Sequence, residues 1–126
     1  MAQGTARIGK DKYRTQISVG GRDIVADEPP ALGGLGAGFA PYDLLLASLG
    51  ACTAITLRMY ADRKGWPMES LEVALRLHGV EDKKIDRTLT IAGLDDEQRA
   101  RMADIAERTP VTLTLKNGLP IDTRLA

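Results

Sequence analysis

The feature that most constrains this chain is a stretch of about 24 residues, 41–64, in which only Gly50 discourages a helix. Pro41 suits the first helical position, where its missing N–H is not needed. A helix of that length runs roughly 36 Å. Its middle, residues 44–57, is apolar or small on every side. A helix without a polar face has to be surrounded by other groups. The run 44–57 falls short of the roughly 20 apolar residues that cross a bilayer, so a buried core helix is expected and no membrane partner. Ala47, Ser48, Gly50, Ala51 and Ala54 are small enough to let another backbone approach. A chain of 126 residues is the size of one domain and struggles to wrap such a helix alone, which predicts an intimate homodimer. Charges return at Arg58, Asp62, Arg63 and Lys64, near the end that favours cations.

The segments around that helix have shorter signatures. Residues 16–19 and 23–26 are β-prone, and Gly20-Gly21 between them suits a tight turn with positive φ, so a hairpin is expected over 13–26. Residues 27–39 form a Pro- and Gly-rich connector. Leu71, Val73, Leu75 and Leu77 alternate strictly with polar residues, and Ile85, Leu89 and Ile91 continue the pattern. Residues 81–83 are then the bend of a second hairpin. Asp95 and Asp96 cap a further helix with Met102, Ile105 and Ala106 on its apolar stripe, interrupted before Pro110. Residues 120–125 are expected to close the chain as a short strand. The order of hairpin, long helix, hairpin, helix and strand is α+β, within a single domain over 1–126.

Bulk properties exclude several partners. Seventeen basic side chains balance seventeen acidic ones, leaving no global field to attract nucleic acid. Aromatic residues make up 4%, too few for a stacking platform. The single cysteine, Cys52, excludes an internal disulfide and fits a reducing compartment. The first residues show no apolar signal region, so a cytoplasmic location is expected.

Four features could carry chemistry. The glycines of residues 33–38 do not match G-x-G-x-x-G, and a flexible loop is the better reading than a nucleotide site. His78, the only histidine, lies on the polar side of its strand, and one Cys with one His cannot build a metal cluster. No Ser-His-Asp arrangement has a supporting motif. Cys52 is the fourth. Buried cysteines often act as small hydrophobes, and this one sits about three turns into its helix, beyond reach of that helix's own N-terminal field. A reactive thiolate there needs a positive group from elsewhere. Arg14 and Arg22 on the N-terminal hairpin are the candidate suppliers.

The stretches VADEPPALGG (25–34) and APYDLLLASLGACTAITLRMYADRKGWP (40–67) closely resemble the OsmC-like family, which includes the organic hydroperoxide resistance proteins. The likeness continues through IDR (85–87), GLDDEQ (93–98), TPVTLTL (109–115) and IDTRL (121–125), nearly the whole chain from Tyr13. The resemblance implies an OsmC-like fold of antiparallel sheets around a long buried central helix plus a second helix, in an intertwined dimer. It also implies sites at the subunit interface, where the cysteine at the Cys52 position attacks a peroxide O–O bond with help from an arginine and a glutamate. A second cysteine then resolves the sulfenic acid, and external dithiols reduce the disulfide. That second position is Thr109 here, whose hydroxyl cannot form a disulfide. The glutamate position of the hydroperoxide resistance branch falls on Tyr42, with Asp43 next to it. Asp43 points away from Cys52 on a regular helix and suits stabilisation of the helix N-terminus.

Two functions follow from the resemblance. One is a peroxiredoxin-like, one-cysteine reduction of small organic hydroperoxides by Cys52, without a cofactor, using an external thiol or dithiol. The other is a catalytically degenerate dimer that binds small molecules or serves in stress.

Overall fold

The computed structural model describes residues 2–126. The chain divides into two compact units, residues 1–45 and 46–126. In the first, β1 (Gly4–Ile8), β2 (Thr15–Val19) and β3 (Arg22–Ala26) form an antiparallel sheet in the order β1-β2-β3. The expected hairpin is β2–β3, with Ile17 opposite Ile24. Gly20 and Gly21 take φ of 59° and 73°, the left-handed values that a two-residue hairpin turn of matching twist demands. β1 was not foreseen. It is exposed along its whole length, so it carries no apolar alternation to announce it, and its place comes from pairing with β2.

After β3 the glycine-rich connector is a folded loop built on Asp27. That carboxylate, 3% exposed, takes four backbone N–H groups: Tyr13 (3.0 Å) and Glu28 (2.7 Å) on Oδ1, Leu35 (3.3 Å) and Ala37 (3.0 Å) on Oδ2. Backbone bonds from Asp27 to the Phe39 carbonyl and from Phe39 to the Val25 carbonyl close the loop's base. A side chain at Gly34 would run into the Glu28 carbonyl oxygen, and one at Gly38 into that of Val25. These glycines therefore serve close backbone packing, where a phosphate-binding or flexible loop had been the choices.

α1 (Pro41–Lys64) begins in the first unit and continues through the second. Pro41 starts it as expected, and Asp43 accepts the Ala40 N–H at 3.0 Å, which caps the helix. Leu49, Thr53, Leu57 and Ala61, four residues apart, form the buried stripe. Two residues out of phase, Ala47, Ala51, Ile55 and Met59 stay exposed in the single chain. By length and composition α1 would suffice to cross a membrane, which the run 44–57 alone would not. Its buried stripe makes it the central helix of the second unit's core.

β4 (Ser70–His78) and β5 (Lys84–Ala92) form the second antiparallel hairpin, with Leu75 opposite Arg87. Gly50 lets α1 lie close to β4, since a Cβ there would touch Leu75 at 3.0 Å. α2 (Asp96–Ala106) opens with a capping box in which Asp95 and Gln98 each accept the other's backbone N–H. The chain then breaks, as the residue before a proline should, and α3 (Pro110–Asn117) starts with Thr109 at its N-cap. Leu57, Ala61, Met68, Leu94, Met102 and Ala106 form the buried cluster, with Trp66, Leu71, Leu89 and Ile105 packed around it. Residues 120–125 are not a strand: Ile121 and Leu125 are exposed and this segment pairs with no strand among the described residues. An extended segment becomes a strand through a neighbour's hydrogen bonds, and a single chain offers it none. The α+β class is as expected, with one helix more and one strand exchanged.

Candidate active site

Cys52 lies on α1, half-buried, one residue before the fully buried Thr53. Its sulfur accepts the backbone N–H of Val111 at 3.4 Å and sits 4.0 Å from the Thr56 hydroxyl. Val111 is the second residue of α3, so its N–H is one of those that a helix leaves without an internal acceptor. The helix N-terminus that addresses Cys52 is thus that of α3, 59 residues away in sequence, and not that of its own helix. Such an end carries positive partial charge, the polarity that suits an anionic sulfur. The signal was present in Thr109-Pro110, a cap followed by proline at a first helical position, yet nothing local said which groups it would face.

Thr109 is 1% exposed, and its hydroxyl bonds the Thr112 hydroxyl at 2.6 Å. Thr112 donates in turn to the Ala106 carbonyl at 3.2 Å, which leaves Thr109 as the donor of their shared bond. Thr109 is therefore a buried, satisfied polar group, two residues from the N–H that touches Cys52.

The same network contains an arginine that sequence reading passed over. Arg87 of β5 donates from one nitrogen to the hydroxyls of Thr53 (3.0 Å) and Thr112 (2.8 Å), and from the other to the Ala106 carbonyl (2.7 Å). The available signal was its register. Arg87 shares the strand face of Ile85, Leu89 and Ile91, where an aliphatic residue would be the rule. Arg14 precedes β2 and Arg22 opens β3, both in the first unit. Tyr42 is exposed near the start of α1, and Asp43 is engaged in the cap.

The charged neighbours of the network have defined partners. Glu107 accepts the Lys116 ammonium at 2.6 Å, and this bond, reinforced by the charges of Lys116 and Arg87, holds its carboxyl below the usual range. His78 lies at the far end of the β4–β5 hairpin, where its Nε2 meets Asp86 at 2.8 Å. That contact is the main cause of the lowered Asp86 carboxyl.

The sequence matches the family described as OsmC-like protein over residues 34–124. No curated protein matches it. Among solved structures the chain is similar to the organic hydroperoxide resistance protein OhrB of Bacillus subtilis, with 26% identity, coverage of 93% of this chain and 92% of that one, and a TM-score of 0.63. It is similar to an OsmC-like protein of Mycoplasma pneumoniae, with 18% identity, coverage of 92% and 87%, and a TM-score of 0.74. An organic hydroperoxide resistance protein of Legionella pneumophila shares the fold at 21% identity, with coverage of 92% and 89% and a TM-score of 0.67. With a family match spanning most of its length and with the arrangement of helices and antiparallel sheets shared across these structures, the chain belongs to the OsmC-like protein family.

Proposed function

We propose that this protein reduces small organic hydroperoxides with Cys52 as its one reactive thiol. The observation that carries the reading is the Cys52 sulfur facing the N-terminus of α3 through the Val111 N–H. The names of the Bacillus and Legionella relatives supply the substrate class. The thiolate attacks the outer peroxide oxygen, an S–O bond forms, and the O–O bond breaks. The departing alkoxide takes a proton and leaves as an alcohol, and Cys52 becomes a sulfenic acid. An external thiol then displaces water to form a mixed disulfide. A second thiol releases Cys52 and carries away the oxidised reductant. Thr109 cannot supply that first thiol, so both electrons come from outside the chain, as a reducing cytoplasm allows.

The functional unit in this reading is one domain paired with a second copy. The exposed apolar stripe of α1, with Ile55 and Met59 at 55% and 58% exposure, supports such pairing. A sedimentation mass of 13.6 kDa, that of one chain, would remove the dimer from the proposal.

The chemistry is tested by following hydroperoxide consumption with dithiothreitol, comparing wild type with Cys52→Ser. Loss of the nucleophile is expected to slow turnover at least ~10²-fold, as removal of covalent nucleophiles does. Equal slow rates would leave the second reading, a dimer that keeps the fold as a small-molecule binder. Thr109, fully integrated into a hydrogen-bond network, is compatible with that outcome.

A further inference from the structure

We infer that Arg87 is the positioning residue that seats the N-terminus of α3 on Cys52, an assignment that rests on the thiol chemistry proposed above. Cys52 and Thr53 are adjacent on α1, and Val111 and Thr112 are adjacent on α3. The two helices meet there through two neighbouring rungs. One is the Val111 N–H on the Cys52 sulfur. The other is Arg87, which bridges the hydroxyls of Thr53 and Thr112 with one nitrogen. Its second nitrogen holds the Ala106 carbonyl, the last residue of α2, just before the break that leads into α3. A single planar group thereby fixes α1, the end of α2 and the start of α3 relative to one another.

The partners of Arg87 argue that placement, and not ion pairing, is its role. All three acceptors are uncharged oxygens. Glu107 is near enough for its carboxyl to respond to Arg87, but its hydrogen bond goes to Lys116. Arg99 lies across the shallow depression that Arg87 lines with Glu107, and is engaged with Asp96 and the Leu94 carbonyl. On the outer face of β5, Asp86 is taken by His78 and Lys84. A half-buried cation bound only to neutral groups costs desolvation that an aliphatic side chain would avoid. The fork geometry of guanidinium is what reaches several acceptors at fixed angles, and an ammonium does not reproduce it.

The experiment measures alkylation of Cys52 by iodoacetamide in the full chain at pH 7 and pH 10, in wild type, Arg87→Met and Arg87→Lys. At pH 7 the reaction follows how well the site favours the thiolate, and Arg87→Met is expected to be about tenfold slower. At pH 10 an ordinary thiol, with a pKa of about 8.5, is ionised anyway, and the rates should agree within about twofold. Arg87→Lys should fall between, because it restores charge and one anchor only. An unchanged rate at pH 7 in a folded Arg87→Met protein overturns the assignment. So does an equal slowing at both pH values, which would mean altered access and not altered reactivity. Should Arg87→Met not fold, Thr112→Val removes one of the anchors, and it must slow the pH 7 reaction while sparing the pH 10 one. The assay needs no peroxide, so failed turnover in wild type would sink the proposed function while still deciding the role of Arg87.

Discussion

Asp27 and Arg87 each bring one charge to a place where separate stretches of chain converge, and both are bound by uncharged partners. The difference lies in what those partners are. Asp27 gathers four backbone N–H groups from residues 13, 28, 35 and 37. Backbone donors are present whatever the side chains, so Asp27 dictates the path of a loop and its carboxylate is saturated in doing so. Arg87 binds two threonine hydroxyls and one helix-terminal carbonyl. Its network exists only if α1, α2 and α3 each present the right atom, and through Thr53 it adjoins Cys52, the one cysteine of the chain. The first device shapes structure alone, whereas the second ties structure to the candidate thiol.

The sharpest way to break the Asp27 side of this comparison is Gly34→Ala. A methyl group there would overlap the Glu28 carbonyl and lie 2.6 Å from the Asp27 carboxylate. The loop must shift, which is expected to cost about 3 kcal/mol, at the upper end of overpacking effects. Chemical denaturation of wild type and variant measures it, and a loss below about 0.5 kcal/mol, the level of a neutral surface change, would mean the loop does not need this close approach. The Arg87 side yields more gently. Thr109→Val keeps the shape and removes a hydroxyl whose partner Thr112 retains Arg87 and the Ala106 carbonyl. About 1 kcal/mol is expected, the usual worth of one hydrogen bond. A loss as large as that of Gly34→Ala would show that Thr109 organises the network and that Arg87 follows it.

What the sequence disclosed follows the same division. α1, both hairpins and the capped start of α2 were legible because their signals are local: a proline start, alternation, a Gly-Gly turn, an Asp pair ahead of an apolar stripe. β1 and the segment 120–125 were misjudged because a strand's existence depends on its neighbour. β1 has one without showing an apolar face, and 120–125 shows alternation without having one. Cys52 was legible as the reactive candidate, but its surroundings were not. The Val111 N–H reaches its sulfur across 59 residues of sequence, and Arg87 reaches the neighbouring Thr53 across 34. Arg87 still left a trace, as a charged residue at an inward position of an alternating strand. Arg14 and Arg22 on the first hairpin show no such anomaly: Arg14 precedes β2 and Arg22 opens β3.

The smallest expected effect, and the most selective, comes from pH. The Ala37 N–H above all, with Glu28, Tyr13 and Leu35, lowers the Asp27 carboxyl against the opposing effect of burial. A carboxylate whose folded pKa is depressed contributes stability that is complete above its unfolded pKa of about 3.9 and is lost as pH falls through the lower folded value. Between pH 5 and 9 the Asp27 loop should therefore show no change. In acid, the amide chemical shifts of Glu28, Leu35 and Ala37 should move together with one midpoint below about 4, the ordinary carboxylate value. The Val111 amide, whose acceptor is a sulfur and not a carboxylate, should stay fixed over that range. A common midpoint at or above 4 would mean that burial outweighs the four donors at Asp27. Movement of the Val111 amide with the others would mean that the two networks, distinct in their partners, respond to acid as one.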